Sequence, residues 1–424
     1  MRSYKAALIE LSRRLLPPVA IVLVLTAAMF ALHPHLWDYP ELRYPPGPDQ
    51  ISYLTEAPDF QNHLLVDPKV PLYTVWLSLF FASAPNLYWT FYVERYASIL
   101  LLSVLVCLLG RRLFDLRTGF FLGFWTLNAK YLVIEPNGSN ALAASMFVAA
   151  ALCLTTRKPQ RWPATVFFLF LSSLARPEML LPLMVVILYL VWKAIVWFRT
   201  RWRESATAAS SKWYYWAALV LVVAGLTAFI KTRANLSFPW SPSFAFFAGF
   251  AVNYVKRNGL LQQYPNPWLA TPQIIAQVMP RVTEPVSPLA SPIRGIIQAW
   301  AFYPRECLYH TAYNLKMAII TVPAVAFGFY SRFLMLIAAV AWLGSYYFVR
   351  RRQRANFTRV PENVWRDLIV LSVASASLLA ALLCFLVMWR YAFPFLPVIL
   401  FAIAYLVHHG LSAIVNRLQK RSRL

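Results

Sequence analysis

Residues 92–112 read YVERYASILLLSVLVCLLGRR, and this stretch decides the fold. From Tyr92 to Gly110 the only charged side chains are Glu94 and Arg95, both near the start. A run of that kind suits a hydrocarbon core about 30 Å thick. Arg111 and Arg112 close it, and paired basic residues mark the cytoplasmic end of a span. The stretch therefore predicts a transmembrane helix with Glu94–Arg95 on the extracytoplasmic side.

Working outward, similar runs recur along all 424 residues. The sequence predicts an all-α polytopic membrane protein of about ten crossings. The expected spans are 16–33, 92–110, 118–134, 139–156, 163–177, 179–198, 213–231, 331–349, 366–388 and 392–409. This even count puts both termini in the cytoplasm and every large basic cluster on one side: Arg13–Arg14, Arg111–Arg112, Arg157–Lys158, Arg199/Arg201/Arg203, Arg350–Arg352 and Lys420–Arg421. Residues 1–424 are expected to form a single transmembrane domain. Two long extracytoplasmic regions interrupt it, 34–91 and 232–330. Each carries aromatic, Pro-rich segments suited to interfacial helices at headgroup level, the first at 72–84 and the last from Pro304 to Phe329.

Composition agrees. Sixty per cent of residues are hydrophobic, 13% are charged, and the mean hydropathy is +0.54, outside the soluble globular range. The formal charge of +24 needs no nucleic acid, because the basic clusters follow span ends, where they set topology and attract anionic membrane lipids. Val19–Leu32 is followed by His33-Pro34-His35 rather than a small-residue cleavage site, so it reads as an uncleaved first span. The expected location is the plasma (inner) membrane. The four cysteines suggest no disulfide framework.

Against the basic background, His33 to Lys69 holds six of the sixteen acidic residues: Asp38, Glu41, Asp49, Glu56, Asp59 and Asp67. A carboxylate in such a loop is placed to take a proton from an acceptor hydroxyl. Asp49 follows Pro45-Pro46-Gly47-Pro48, a turn that leads into a short helix, so it also suits a helix N-cap. Lys69 suits a phosphate contact or a snorkelling anchor. Arg95, Glu135, Arg176 and Arg390 stand at extracytoplasmic span ends, where ionisable groups signal function. Ion pairs Glu94–Arg95 or Glu135–Arg176 that hold the bundle together are the structural alternative. The sequons at Asn137, Asn235 and Asn356 are weak signals, and no P-loop, GxGxxG, HExxH or GxSxG occurs. The loop leaves a divalent cation (Mg or Mn) open, since no ligand spacing argues for one.

Taken in order, these pieces resemble the GT-C superfamily of polytopic glycosyltransferases, with the flavour of the protein-mannosyltransferase and lipid A aminoarabinose transferase branch. The resemblance rests on Asp49 with Tyr53, Lys69-Val70-Pro71 before an aromatic helix, Arg95 followed by Gly110-Arg111-Arg112-Leu113-Phe114, Glu135-Pro136, Arg176-Pro177, and Arg390-Tyr391 with Pro394 and Pro397. It covers roughly residues 45–180 and 389–400. Two departures stand out: Gln50 replaces a frequent second acid, and Val70 replaces a frequent proline. The large middle loop, a region that tends to carry acceptor specificity in this family, has no match.

The resemblance implies an inverting transferase that moves a sugar from a polyprenyl-phosphate donor to a lipid, glycan or protein acceptor. Asp49 would be the base. Lys69, Arg95, Arg176 and Arg390 would neutralise the departing phosphate, with Tyr53, Glu135 and Asp59 in support. Two other classes compete. A transporter or flippase of lipid-linked saccharides calls for matching halves and broken mid-bilayer helices. A non-catalytic scaffold of an envelope assembly complex would leave the acidic loop a solvated surface.

Overall fold

Helix boundaries fall where the sequence supplies a physical reason for them. The computed structural model describes residues 19–32, 71–81, 87–129, 138–156, 161–201, 242–286, 293–329, 331–352, 362–384, 396–407 and 410. Among these residues every regular element is helical and no strand forms. In chain order the helices begin with α1 at Val19–Leu32. Then come α2 Pro71–Phe81, α3 Leu87–Leu113, α4 Leu116–Leu127, α5 Gly138–Leu154, α6 Arg161–Ala175 and α7 Leu180–Arg201. They are followed by α8 Pro242–Arg257, α9 Thr271–Val278, α10 Ile293–Phe302, α11 Pro304–Phe327, α12 Arg332–Arg352 and α13 Glu362–Cys384. The series ends with α14 at Leu396–Val407.

Prolines open α2, α8 and α11, where a missing N–H costs nothing. Asp115 caps α4 by accepting from Thr118 N at 2.7 Å. Between α6 and α7 the chain makes one 3-10 turn, Pro177–Met179, because Pro177 disfavours helical geometry at Arg176. Nine of the ten expected spans meet a helix, and 213–231 lies outside the described residues. Among the described residues, only Tyr92–Leu113 is long and apolar enough to cross a membrane alone. Val19–Leu32, Gly138–Leu154, Arg161–Ala175, Leu180–Val196, Arg332–Ser345 and Leu396–Val407 are shorter apolar helices. The stretch expected as interfacial helices near 304–329 is one helix, α11, with Pro323 inside it.

The chain divides into two units, one of residues 1–183, 324–373 and 392–424, the other of residues 184–323 and 374–391. In the first, α3 and α4 form a tight antiparallel hairpin. A Cβ on Gly119 would lie 2.5 Å from Cys107 O and 2.8 Å from Arg111 N, and one on Gly123 would meet Cys107 Cβ at 3.0 Å. Gly119-x-x-x-Gly123 thus lets two backbones touch, as small residues do between membrane helices. Ser103 Oγ donates to Gly123 O across the same seam at 2.7 Å.

The other seams of this unit carry the same kind of polar stitch inside apolar surroundings. Ser172 Oγ donates to Ala143 O, 2.7 Å, between α6 and the alanine-rich α5. Trp342 on α12 stacks on Phe121 of α4 with centroids 4.3 Å apart, and its Nε1 donates to Thr118 Oγ1. Arg161 at the head of α6 pairs with the fully buried Asp367 of α13 at 2.9 Å.

The second unit has its own aromatic core: Phe246, Phe247 and Phe250 of α8 pack with Ile275, Met279, Ala299 and Cys307. α8 ends in a Schellman motif. Leu260 N bonds Val255 O at 3.0 Å, Gly259 N bonds Lys256 O at 3.5 Å, and Gly259 takes φ 68°, which glycine adopts without strain.

Candidate functional site

A buried carboxylate organises one end of the first unit. Tyr73 and Trp76 lie on α2, three residues apart and therefore on one helix face. Both reach Glu94 near the start of α3. Tyr73 OH donates to Glu94 Oε2 at 3.0 Å, and Trp76 Nε1 donates to Oε1 at 3.1 Å. Ser98, one turn along α3, donates its hydroxyl to Oε1 at 2.6 Å. Glu94 is fully buried, and any side chain at position 138 would collide with its carboxylate. Glycine at the first residue of α5 is what allows the helix N-terminus and the carboxylate to meet, a favourable dipole arrangement.

Two arginines stand at this end. Arg95 follows Glu94 on α3 and is 1% exposed, while Arg176, at the end of α6, is 7% exposed. Arg176 Nε donates to Glu178 Oε1 at 2.7 Å, and its Nη1 reaches Ser139 Oγ at 3.5 Å. Residues Gly138 and Ser139 thereby touch the Glu94 carboxylate on one hand and the Arg176 guanidinium on the other. Asn140 follows, 2% exposed, and its Nδ2 has no hydrogen-bond partner among the described residues.

Of the residues singled out in the sequence, Arg176 is thus brought to the N-terminus of α5, and Arg95 is buried on α3 next to Glu94 in the chain. Asp49, Tyr53, Asp59, Lys69, Glu135 and Arg390 lie outside the described residues. The carboxylate found on Arg176 is that of Glu178, two residues along the chain. Glu94 meets Tyr73, Trp76 and Ser98 with both of its oxygens. Ser98, Ser139, Asn140 and Glu178 did not stand out in the sequence. The one available signal was the four-residue step from Glu94 to Ser98, which aligns them on a helix face.

Chemically, this end presents buried cationic groups and the partial positive charge of a helix N-terminus, features that favour an anion. Glu94 is enclosed and saturated by donors. It cannot reach an incoming hydroxyl and acts as a positioning group for α2, α3 and α5. Among the described residues no three His, Cys, Asp or Glu side chains gather as metal ligands. No family model matches this chain, and neither any curated protein nor any solved structure shows significant similarity to it.

Proposed function

We propose that the chain is a GT-C-like integral-membrane glycosyltransferase that uses a polyprenyl-phosphate sugar as donor on the extracytoplasmic face. The observation that carries this reading is the buried Arg176 guanidinium beside the first turn of α5, in a unit that also buries Arg95 on α3. Arginines at the ends of apolar helices signal function, and the Arg176 guanidinium, already held by Glu178, lies at a depth where a lipid phosphate could join it.

The membrane part of the reading draws support from broad apolar exposure. Leu188 and Trp192 on α7, Phe333 and Leu336 on α12 and Ile369 and Val373 on α13 are all exposed, a pattern water would penalise and lipid would not. With the helix count, it favours a multi-pass protein of the inner membrane with both termini cytoplasmic.

In the proposed reaction Asp49 accepts the proton of an acceptor hydroxyl. The oxygen forms a bond to the anomeric carbon from the face opposite the phosphate. The carbon–oxygen bond to the lipid phosphate breaks, and that phosphate leaves with the electron pair. Lys69, Arg95, Arg176 and Arg390 neutralise the charge that grows on it, the kind of electrostatic contribution that dominates many enzymes. Tyr53, Asp59 and Glu135 support the loop that carries the base. The test is sugar transfer in proteoliposomes by Asp49→Asn, with folding checked by its melting curve. A fall in turnover of about 100-fold or more is expected from loss of a general base. Unchanged turnover in folded protein removes Asp49 from the mechanism.

A further inference from the structure

The first unit leaves an apolar groove open between α1, α4 and α12. α1 meets the α3–α4 hairpin through Leu25, whose Cδ1 would lie 3.4 Å from a Cβ on Gly123. α4 and α12 run antiparallel. Arg117 Nη1 donates to Ser345 O at 2.8 Å, Trp342 Nε1 to Thr118 Oγ1 at 3.1 Å, and Asn128 Nδ2 to Ser331 O at 2.8 Å. Between the three helices lies a cavity of about 400 Å³.

Small side chains make this space. Ala28 of α1 and Ala338 and Ala341 of α12 line it where larger residues would fill the gap, and Phe120 and Phe124 line it from α4. Apart from Arg117 and Ser345, every described lining residue is apolar, and Trp342 has its one polar atom turned to Thr118. Beyond the Arg117 end the walls offer water no hydrogen-bond partners, so the groove favours an apolar occupant.

The polar end decides which kind. Arg117 lies in the first turn of α4, and the seven residues from it to Phe124 span about 10 Å. That is about two-thirds of the hydrocarbon depth of one leaflet. Arg117 is exposed and uses one of its N–H donors on Ser345 O, and it enters none of the ion pairs among the described residues. The adjoining turn carries Arg111 and Arg112 at the end of α3 and one acid, Asp115, whose carboxylate already accepts from Thr118 N. In the proposed topology this is the cytoplasmic end, at the level of headgroup phosphates and anionic lipids. A narrow apolar slot that ends in a guanidinium with unused donors matches a hydrocarbon chain joined to a phosphate.

We propose that this groove is a lipid-binding site: it takes an acyl chain of an anionic phospholipid of the cytoplasmic leaflet, with the headgroup phosphate on Arg117.

This lipid is not the sugar donor. Glu94 and the turn before Arg117 stand at opposite ends of α3, about 30 Å of helix apart. A chain seated in the groove touches α1, α4 and α12 together, so binding stabilises the folded unit.

The inference rests on the membrane reading and not on the transfer chemistry. Its test uses the full chain in detergent micelles, titrated with phosphatidylglycerol or with phosphatidylcholine of the same acyl chains. Native mass spectrometry counts the lipids retained. The first phosphatidylglycerol is expected to bind about fivefold or more tightly than phosphatidylcholine and to raise the melting midpoint. Arg117→Gln should bring phosphatidylglycerol down to the phosphatidylcholine level, and Ala341→Phe, which fills the slot, should weaken both. Equal affinity for the two lipids, or unchanged phosphatidylglycerol binding in folded R117Q or A341F, overturns the proposal. So does a second copy of the chain seated there, seen as a dimer that phosphatidylglycerol does not dissociate. If either variant fails to fold, phosphatidylglycerol with a diazirine on its acyl chain decides with the unaltered protein. Adducts on Val24–Ala28, Phe120–Phe124 and Ala338–Trp342 uphold the groove, and adducts only elsewhere overturn it. A chain recovered from broken cells without membranes sinks the membrane reading itself, whereas a membrane-bound chain indifferent to phosphatidylglycerol sinks only this inference.

Discussion

Glu94 shows how one residue can order three helices without doing chemistry. Its two oxygens accept from Tyr73, Trp76 and Ser98, and the indole can only donate. Glu94→Leu removes both accepting oxygens from the Tyr73 and Ser98 hydroxyls and the Trp76 indole. The expected cost is about 1–3 kcal/mol, read as a lower melting midpoint with the helical signal unchanged. At this scale the sequence was half legible. Arg95 and Arg176 announced themselves as charges at the ends of apolar runs. The Glu178 carboxylate on Arg176 did not, because a contact two residues along the chain depends on the turn at Pro177, while the expected partner Glu135 lies outside the described residues. The Arg117–Ser345 contact at the end of the groove had no sequence signal, since the two residues lie 228 positions apart.

Among the elements, the α3–α4 hairpin depends on backbone contact at Gly119. Gly119→Val drives a branched side chain into Cys107 O and Arg111 N, which a helix cannot move. A loss of about 1–3 kcal/mol is expected, the usual penalty of overpacking. Gly344 on α12 is the control: an added Cβ there meets nothing within 4 Å. Gly344→Ala should raise stability by about 0.5–1 kcal/mol, because alanine loses less backbone entropy in a helix. Equal effects of the two changes on the melting midpoint would contradict the close-packed seam. The helices themselves were readable from apolar runs bounded by arginine pairs and prolines. The seam was not singled out, because glycine in an apolar run looks like dilution until a neighbouring helix is placed beside it.

At the scale of the whole molecule, the topology and the chemistry stand together. The proposed arrangement puts the turn at Gln262 outside the cell and the Arg111–Arg112 end inside. Gln262 is exposed, so Gln262→Cys in a chain whose native cysteines are changed to Ser should react with a membrane-impermeant maleimide on intact cells. Labelling only after lysis would reverse the topology. The apolar runs made the all-helical class legible, but the acceptor could not be read, because the middle region offered no motif and its core is built from dispersed aromatics. The most direct measurement is photocross-linking of the protein in liposomes with a diazirine-bearing polyprenyl phosphate, mapped by peptide mass spectrometry. The account predicts adducts on the segments around Glu94–Ser98, Gly138–Asn140 and Arg176–Glu178, competed away by unlabelled polyprenyl phosphate but not by a polyprenol lacking the phosphate. Adducts that avoid all three segments, or that polyprenol competes away equally well, would contradict it.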